Sequence, residues 1–201
     1  MDKQTLIFIG ASGSGKGTQV ALLKEYMTAK DPGTPIFYLQ MGQHIREFVK
    51  GDTYAAKIAR EAIEKGELLP SFLAMWTWSE LFVKNLTGQE HLILDGTPRT
   101  VDEAKNLDIA LKFFRREKPA VVYIRVSPEW SAQHLLERAA KEGRADDTAE
   151  AIHKRLSWYE RDVMPTVARY RRDRDYDFIE INGERTIEEV HKDIVENLFG
   201  E

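Results

Sequence analysis

From Gly10 to Thr18 the chain reads Gly-Ala-Ser-Gly-Ser-Gly-Lys-Gly-Thr, directly after the apolar run Thr5 to Ile9. Glycines let a backbone turn sharply and point successive N–H groups at one place, and a following helix N-terminus adds partial positive charge. Lys16 adds a full charge that can reach the β- and γ-phosphates of a nucleoside triphosphate, and a hydroxyl beside it can approach magnesium. The strict pattern has Ser or Thr immediately after the lysine. Here Gly17 intervenes, and Thr18 is the available hydroxyl one position later. Gly13, Ser14, Gly15, Lys16, Gly17 and Thr18 are therefore the expected phosphate-binding residues.

A carboxylate and several arginines complete the chemistry. Asp95 ends the buried-looking run His91 to Leu94, where a strand of an open parallel sheet delivers residues to a ligand; it is placed to orient magnesium through water. His91 reads as structural. Gly96 and Pro98 hold a turn that aims Arg99 into the same cleft, and Arg46 follows Met41-Gly42. Arg138, Arg144 and Arg155 bracket the polar stretch 141–150. Phosphoryl transfer asks for charge stabilisation more than for covalent chemistry, and converging arginines supply it. Each arginine alone reads equally well as a surface residue; beside the phosphate loop they are harder to dismiss.

These residues must be positioned by alternating elements. Strands are expected at Thr5–Ile9, Pro35–Leu39, His91–Asp95, Ala120–Val126 and Phe178–Ile181. Helices are expected over 17–30, 42–49, 53–65, 70–85, 101–116, 128–141, 148–171 and 187–199, with Pro165 kinking or dividing the longest. Thr186 and Glu189 have capping-box spacing. Short apolar strands alternating with helices predict an α/β fold, a parallel sheet covered on both faces. Trp76 and Trp78 cannot share one helix face; Trp76 is expected to pack and Trp78 to be more exposed. Trp130, Trp158 and Tyr159 read as packing residues.

Composition narrows the classes. The 201 residues carry a formal charge of -4 and no cysteine. Duplex nucleic-acid binding needs a basic footprint, so no nucleic-acid partner is expected. No apolar run is long enough to span a membrane, and the N-terminal stretch does not read as a signal, so a cytoplasmic protein without a membrane partner is expected. Without thiolates, and with five histidines in no compact spacing, structural zinc is not expected. A guanine-reading Asn-Lys-x-Asp segment, expected of a GTPase, is missing.

Residues 10–19 (GASGSGKGTQ), 42–46 (GQHIR), 65–70 (KGELLP), 95–100 (DGTPRT) and 138–160 (RAAKEGRADDTAEAIHKRLSWYE) together resemble the adenylate kinase family of nucleoside monophosphate kinases, in family order and over essentially the whole chain. The resemblance implies one phosphate-loop (P-loop) nucleoside triphosphate hydrolase domain over 1–201 with a five-stranded parallel sheet, an acceptor-binding lobe at 40–69 and a short lid at 138–147. It implies a monomer that transfers a phosphoryl group reversibly from magnesium-ATP to AMP. Lys16, Arg99, Arg138, Arg144 and Arg155 would be catalytic. Met41, Gly42, Arg46, Glu67, Leu69, Gly96, Arg99, Glu103, Arg144 and Arg155 would bind the acceptor. Asp146 and Asp147 would order the lid network, and His134 would pack on the donor base.

Four positions depart from the family pattern. His134 stands where an arginine often packs over the donor base, and a histidine stacks less broadly; the other three lie on the acceptor side. Met41 replaces a usual threonine, Thr97 a usual aromatic residue, and Glu103 a glutamine that usually reads adenine. An ionised glutamate has only acceptors: it matches the paired donors of guanine but faces adenine N1 lone pair to lone pair. A GMP-preferring kinase is thus the alternative acceptor reading, and Glu103 as a solvated helix carboxylate that touches no base is the plainer one. A nucleotide-binding regulatory module without transfer activity is the alternative of a different class.

Overall fold

The computed structural model of the chain describes residues 2–142 and 148–200. Among them, five strands form one parallel sheet: β1 (Thr5–Gly10), β2 (Ile36–Gln40), β3 (His91–Asp95), β4 (Ala120–Arg125) and β5 (Asp177–Asn182), in the order β2-β3-β1-β4-β5. The helices are α1 (Lys16–Lys30), α2 (Met41–Phe48), α3 (Tyr54–Glu64), α4 (Ser71–Asn85), α5 (Val101–Phe113), α6 (Pro128–Glu142), α7 (Ala149–Trp158), α8 (Met164–Arg172) and α9 (Ile187–Phe199).

Alternation along β1 divides the core into two layers. Leu6 and Phe8 face Val20, Leu23 and Met27 of α1 and Val190 and Ile194 of α9. Ile7 and Ile9 face Trp78 and Phe82 of α4, Leu107 and Leu111 of α5, and Val167 and Tyr170 of α8. Burial on both faces explains why the strands read as continuous apolar runs. Strands β3 and β2 lie to one side of β1, and β4 and β5 to the other. The chain reverses its winding there, and the crevice beyond the carboxyl end of β1 is where such a sheet takes a ligand.

Several boundaries differ from the expectations. Helix α5 ends at Phe113, short of Arg116, because the chain turns at Arg115 (φ 54°) and sends Arg116 inward to the Glu90 carboxylate. Strand β5 extends through Asp177 and Asn182 because both pair with β4. Pro165 does divide the expected helix 148–171. A proline lacks the N–H for the residue four back, and its ring crowds that carbonyl. The chain answers with a π-helical turn, Tyr159–Val163, in which the Met164 N–H donates to the Tyr159 carbonyl. The expected order of exposure of the two tryptophans is reversed, although Trp76 does pack: Trp78 is 4% exposed and packs on Phe82, whereas Trp76 is 50% exposed and meets Phe48 of α2 edge-on. Trp78 shares its helix face with buried Phe82, one turn on, and two residues of helix rotation carry Trp76 to the far side.

Candidate active site

The loop after β1 is pinned from one side by α6. Ser131 Oγ donates to the Ser12 carbonyl. Gly13 has φ +84°, and a Cβ there would stand 2.7 Å from the Ser131 carbonyl oxygen, so backbone conformation and close approach both demand glycine. Lys16 opens α1 and folds back over the loop, its Nζ donating to the carbonyls of Gly10 (2.9 Å) and Ala11 (2.8 Å). Burial lowers its pKa to about 8; Arg99 and Arg138 push the same way, and Asp95 opposes them.

Around this loop opens a cleft of about 660 Å³. Gly13, Gly15, Lys16, Gly17 and Thr18 line one side of it, with His134 and Arg138 from α6. Ser14 departs from expectation. It is 4% exposed, its N–H donates to the Ala11 carbonyl and its hydroxyl takes Lys16 Nζ, so it braces the loop from within instead of forming the wall. His134 lies flat on Trp130, with ring centroids 4.4 Å apart, and its Nδ1 is 2.9 Å from the Trp130 carbonyl.

Sheet register brings Asp95 level with Phe8 of β1 and Gln40 of β2. Its carboxylate reaches the cleft, and Tyr38 Oη donates to Oδ2 at 3.0 Å. Burial, then the Asp95 charge, pushes the Tyr38 hydroxyl pKa up, so this proton stays on Tyr38. Thr18, exposed on the first turn of α1, and Asp95 together make an oxygen-only donor set, which fits a hard cation such as magnesium. Among the described residues, no three His, Cys, Asp or Glu side chains gather as a metal site. No helix among them is long and apolar enough to cross a membrane.

The opposite side of the cleft is built by α2, the segment 65–70 and the turn after β3. Met41, Gly42, Arg46, Glu67, Leu69, Gly96, Arg99, Glu103 and Arg155 all line the same cleft. Arg46 folds over Gly42, where a Cβ would come within 3.2 Å of its Nη1. Arg99 donates through Nε to the Gly96 carbonyl at 2.9 Å. Burial, then repulsion from Arg155 and Arg46, lowers its pKa against the pull of Glu103 and Asp95. Arg144, Asp146 and Asp147, and the expected lid beyond residue 142, lie outside the described residues.

A family model described as Adenylate kinase matches residues 8–175. The chain belongs to the adenylate kinase family. An adenylate kinase of Azobacteroides pseudotrichonymphae genomovar. CFP2 is 36% identical over 193 residues, covering 94% of this chain and 96% of that one. One from Leptospira biflexa serovar Patoc (strain Patoc 1 / Ames) is 33% identical, covering 96% and 98%. One from Thermus thermophilus is 34% identical, covering 83% of each chain.

Against this adenylate kinase background, the departures at Thr97 and Glu103 turn out to be one arrangement. Glu103 is not solvated: it is 1% exposed. Its Oε2 accepts the Arg99 N–H at 2.8 Å and the Thr97 hydroxyl at 3.4 Å. Burial raises its pKa; the hydrogen bond from the Arg99 backbone and the Arg99 charge only partly offset that. With one oxygen engaged by the protein, the two free acceptors that would match guanine are no longer available as a pair. Several contributors to the cleft were not among the expected site residues. Trp158 and Leu68 line it, and Tyr38 holds Asp95. A tryptophan or leucine type does not distinguish a core position from a pocket wall, and only strand register sets Tyr38 beside Asp95.

Proposed function

We propose that this chain is an ATP:AMP phosphotransferase, interconverting ATP plus AMP with two ADP. The observation that carries the reading is one continuous cleft: the phosphate loop and Asp95 stand on one side, Arg46, Arg99 and the acceptor-lobe residues on the other, and Arg138 and Arg155 line it too. An oxygen of the AMP phosphate attacks the γ-phosphorus of ATP. The bond from that phosphorus to the β–γ bridging oxygen breaks, and its electron pair leaves with the β-phosphate of the departing ADP. Lys16 neutralises the β- and γ-oxygens, Arg46 and Arg99 orient the attacking phosphate, and Arg138, Arg144 and Arg155 stabilise the charge spread over the transferring group. His134 packs on the donor base, and Met41, Glu67, Leu69 and Glu103 surround the acceptor nucleoside. Asp146 and Asp147 order the arginines as the lid closes over both nucleotides.

Thr18, and Asp95 through water, would hold magnesium, which when bound neutralises donor phosphate charge. The enzyme would act as a cytoplasmic monomer. The test is a coupled assay with magnesium, ATP and each nucleoside monophosphate in turn. AMP-dependent formation of ADP is the expected result. The absence of transfer to any monophosphate sinks the reading, and a preference for GMP overturns the acceptor.

A further inference from the structure

Trp158 ends α7, one turn after Arg155, so the two share a helix face, and both line the cleft. The Arg99 guanidinium lies over the Trp158 ring, 5.5 Å from its centroid, within the range of a cation–π interaction. The Trp158 indole N–H donates to the Gly66 carbonyl at 3.0 Å. Gly66 begins the wall that continues through Glu67 and Leu69, and it meets α7 closely: its φ is +71°, and a Cβ there would stand 2.7 Å from Ala151 Cα. The indole therefore touches the acceptor wall with its edge and the arginine with its face.

We propose that Trp158 is a positioning residue for the acceptor phosphate, fixing Arg99 relative to the Gly66 wall through these two contacts. The proposal rests on the assignment of Arg99 to the AMP phosphate. The Arg99 guanidinium is tethered at Nε to Gly96 and needs a second constraint to fix its plane. The indole face supplies one that takes up no conventional hydrogen bond, so this contact does not consume the Nη donors that an anion would use. A carboxylate in that place would attract the same guanidinium but would compete with the phosphate for its N–H groups. Because the same ring holds Gly66, a shift of the wall and a shift of the arginine are mechanically linked.

The experiment measures AMP affinity by calorimetry with AMP alone, and KM for AMP and for ATP separately. The variants are Trp158→Leu, Trp158→Phe, Arg99→Ala and the double variant Trp158→Leu/Arg99→Ala, each checked for a near-native Tm. Trp158→Leu is expected to weaken AMP binding about tenfold and leave the KM for ATP within about twofold. Trp158→Phe, which keeps a ring face but loses the N–H, is expected to recover part of the loss. In the Arg99→Ala background, Trp158→Leu is expected to add little, since its effect runs through the arginine. Unchanged AMP affinity in either folded Trp158 variant, full additivity with Arg99→Ala, or an equal loss for ATP overturns the proposal. Undiminished AMP binding by Arg99→Ala alone sinks the Arg99 assignment beneath it, so the two failures are told apart. Should the leucine variant not fold, the phenylalanine variant with and without Arg99→Ala carries the same comparison.

Discussion

Lys16 shows how a residue can be legible while its electrostatic state is not. Its place in the glycine loop announces phosphate binding, but only burial and neighbouring arginines bring its pKa down to about 8. Below that pH the lysine already carries its proton when a triphosphate arrives. Above it, the proton must be taken up on binding, so ATP affinity should hold steady to about pH 8 and then fall by up to tenfold per pH unit. Calorimetry in buffers of different ionisation heat measures that uptake directly. Lys16→Ala should keep the fold and lose turnover by roughly 10²–10³-fold, measured as kcat in the coupled assay. Glu103 makes the complementary case. Its raised pKa means the folded protein holds this proton more tightly than the unfolded chain, so its charge costs stability as pH rises above the ordinary glutamate range. Glu103→Gln keeps an acceptor for the Arg99 N–H and restores a donor for adenine N1. It should lower the KM for AMP and should match or exceed the native Tm at pH 7, by a margin that shrinks on acidification. A raised KM with lowered Tm would contradict both assignments.

At the scale of elements, the order of strands and helices was readable because each carries its own periodicity and punctuation. Asp31-Pro32-Gly33 stops α1, and Thr186 with Glu189 forms the expected capping box on α9. The grip of α6 on the phosphate loop was not readable, because nothing near Ser131 in sequence points to Ser12 or Gly13, more than a hundred residues away. Gly13→Ala should therefore damage more than a turn. It forces a Cβ into a left-handed position against the Ser131 carbonyl, at a cost of about 1–3 kcal/mol. Thermal melts and ATP titrations should both shift; an unchanged melt would show that α6 yields without strain.

The whole molecule is tied together by contacts distant in sequence. Glu90, just before β3, and Arg116, just after α5, form a pair whose side chains are each 5% exposed. Burial works to raise the Glu90 pKa, but hydrogen bonds from Thr87 and the Arg116 charge outweigh it and hold it below the ordinary value of 4.5. A depressed glutamate contributes stability above its unfolded pKa and loses it as pH falls, so this pair should add to acid unfolding below about pH 4.5. Arg116→Ala leaves the carboxylate buried without its partner and should cost about 3–5 kcal/mol in denaturant unfolding. A loss below about 1 kcal/mol would mean that the Thr87 hydrogen bonds suffice.

By itself the sequence determined the class of the fold, the place of the phosphate loop, the carboxylate at the end of β3 and the arginines as candidates for charge stabilisation. Those features rest on local rules: side-chain period, glycine freedom, and charge types at fixed spacing. Tertiary structure alone decided how they share one cleft. It set Tyr38 on Asp95 through strand register, turned Trp78 inward and Trp76 outward, and drew Thr97 and Glu103 together over the Arg99 backbone. It also placed Trp158 between Arg99 and Gly66. These are contacts between segments whose separation in the chain leaves no periodic trace, and they exist only once the sheet order and helix packing have brought the segments side by side.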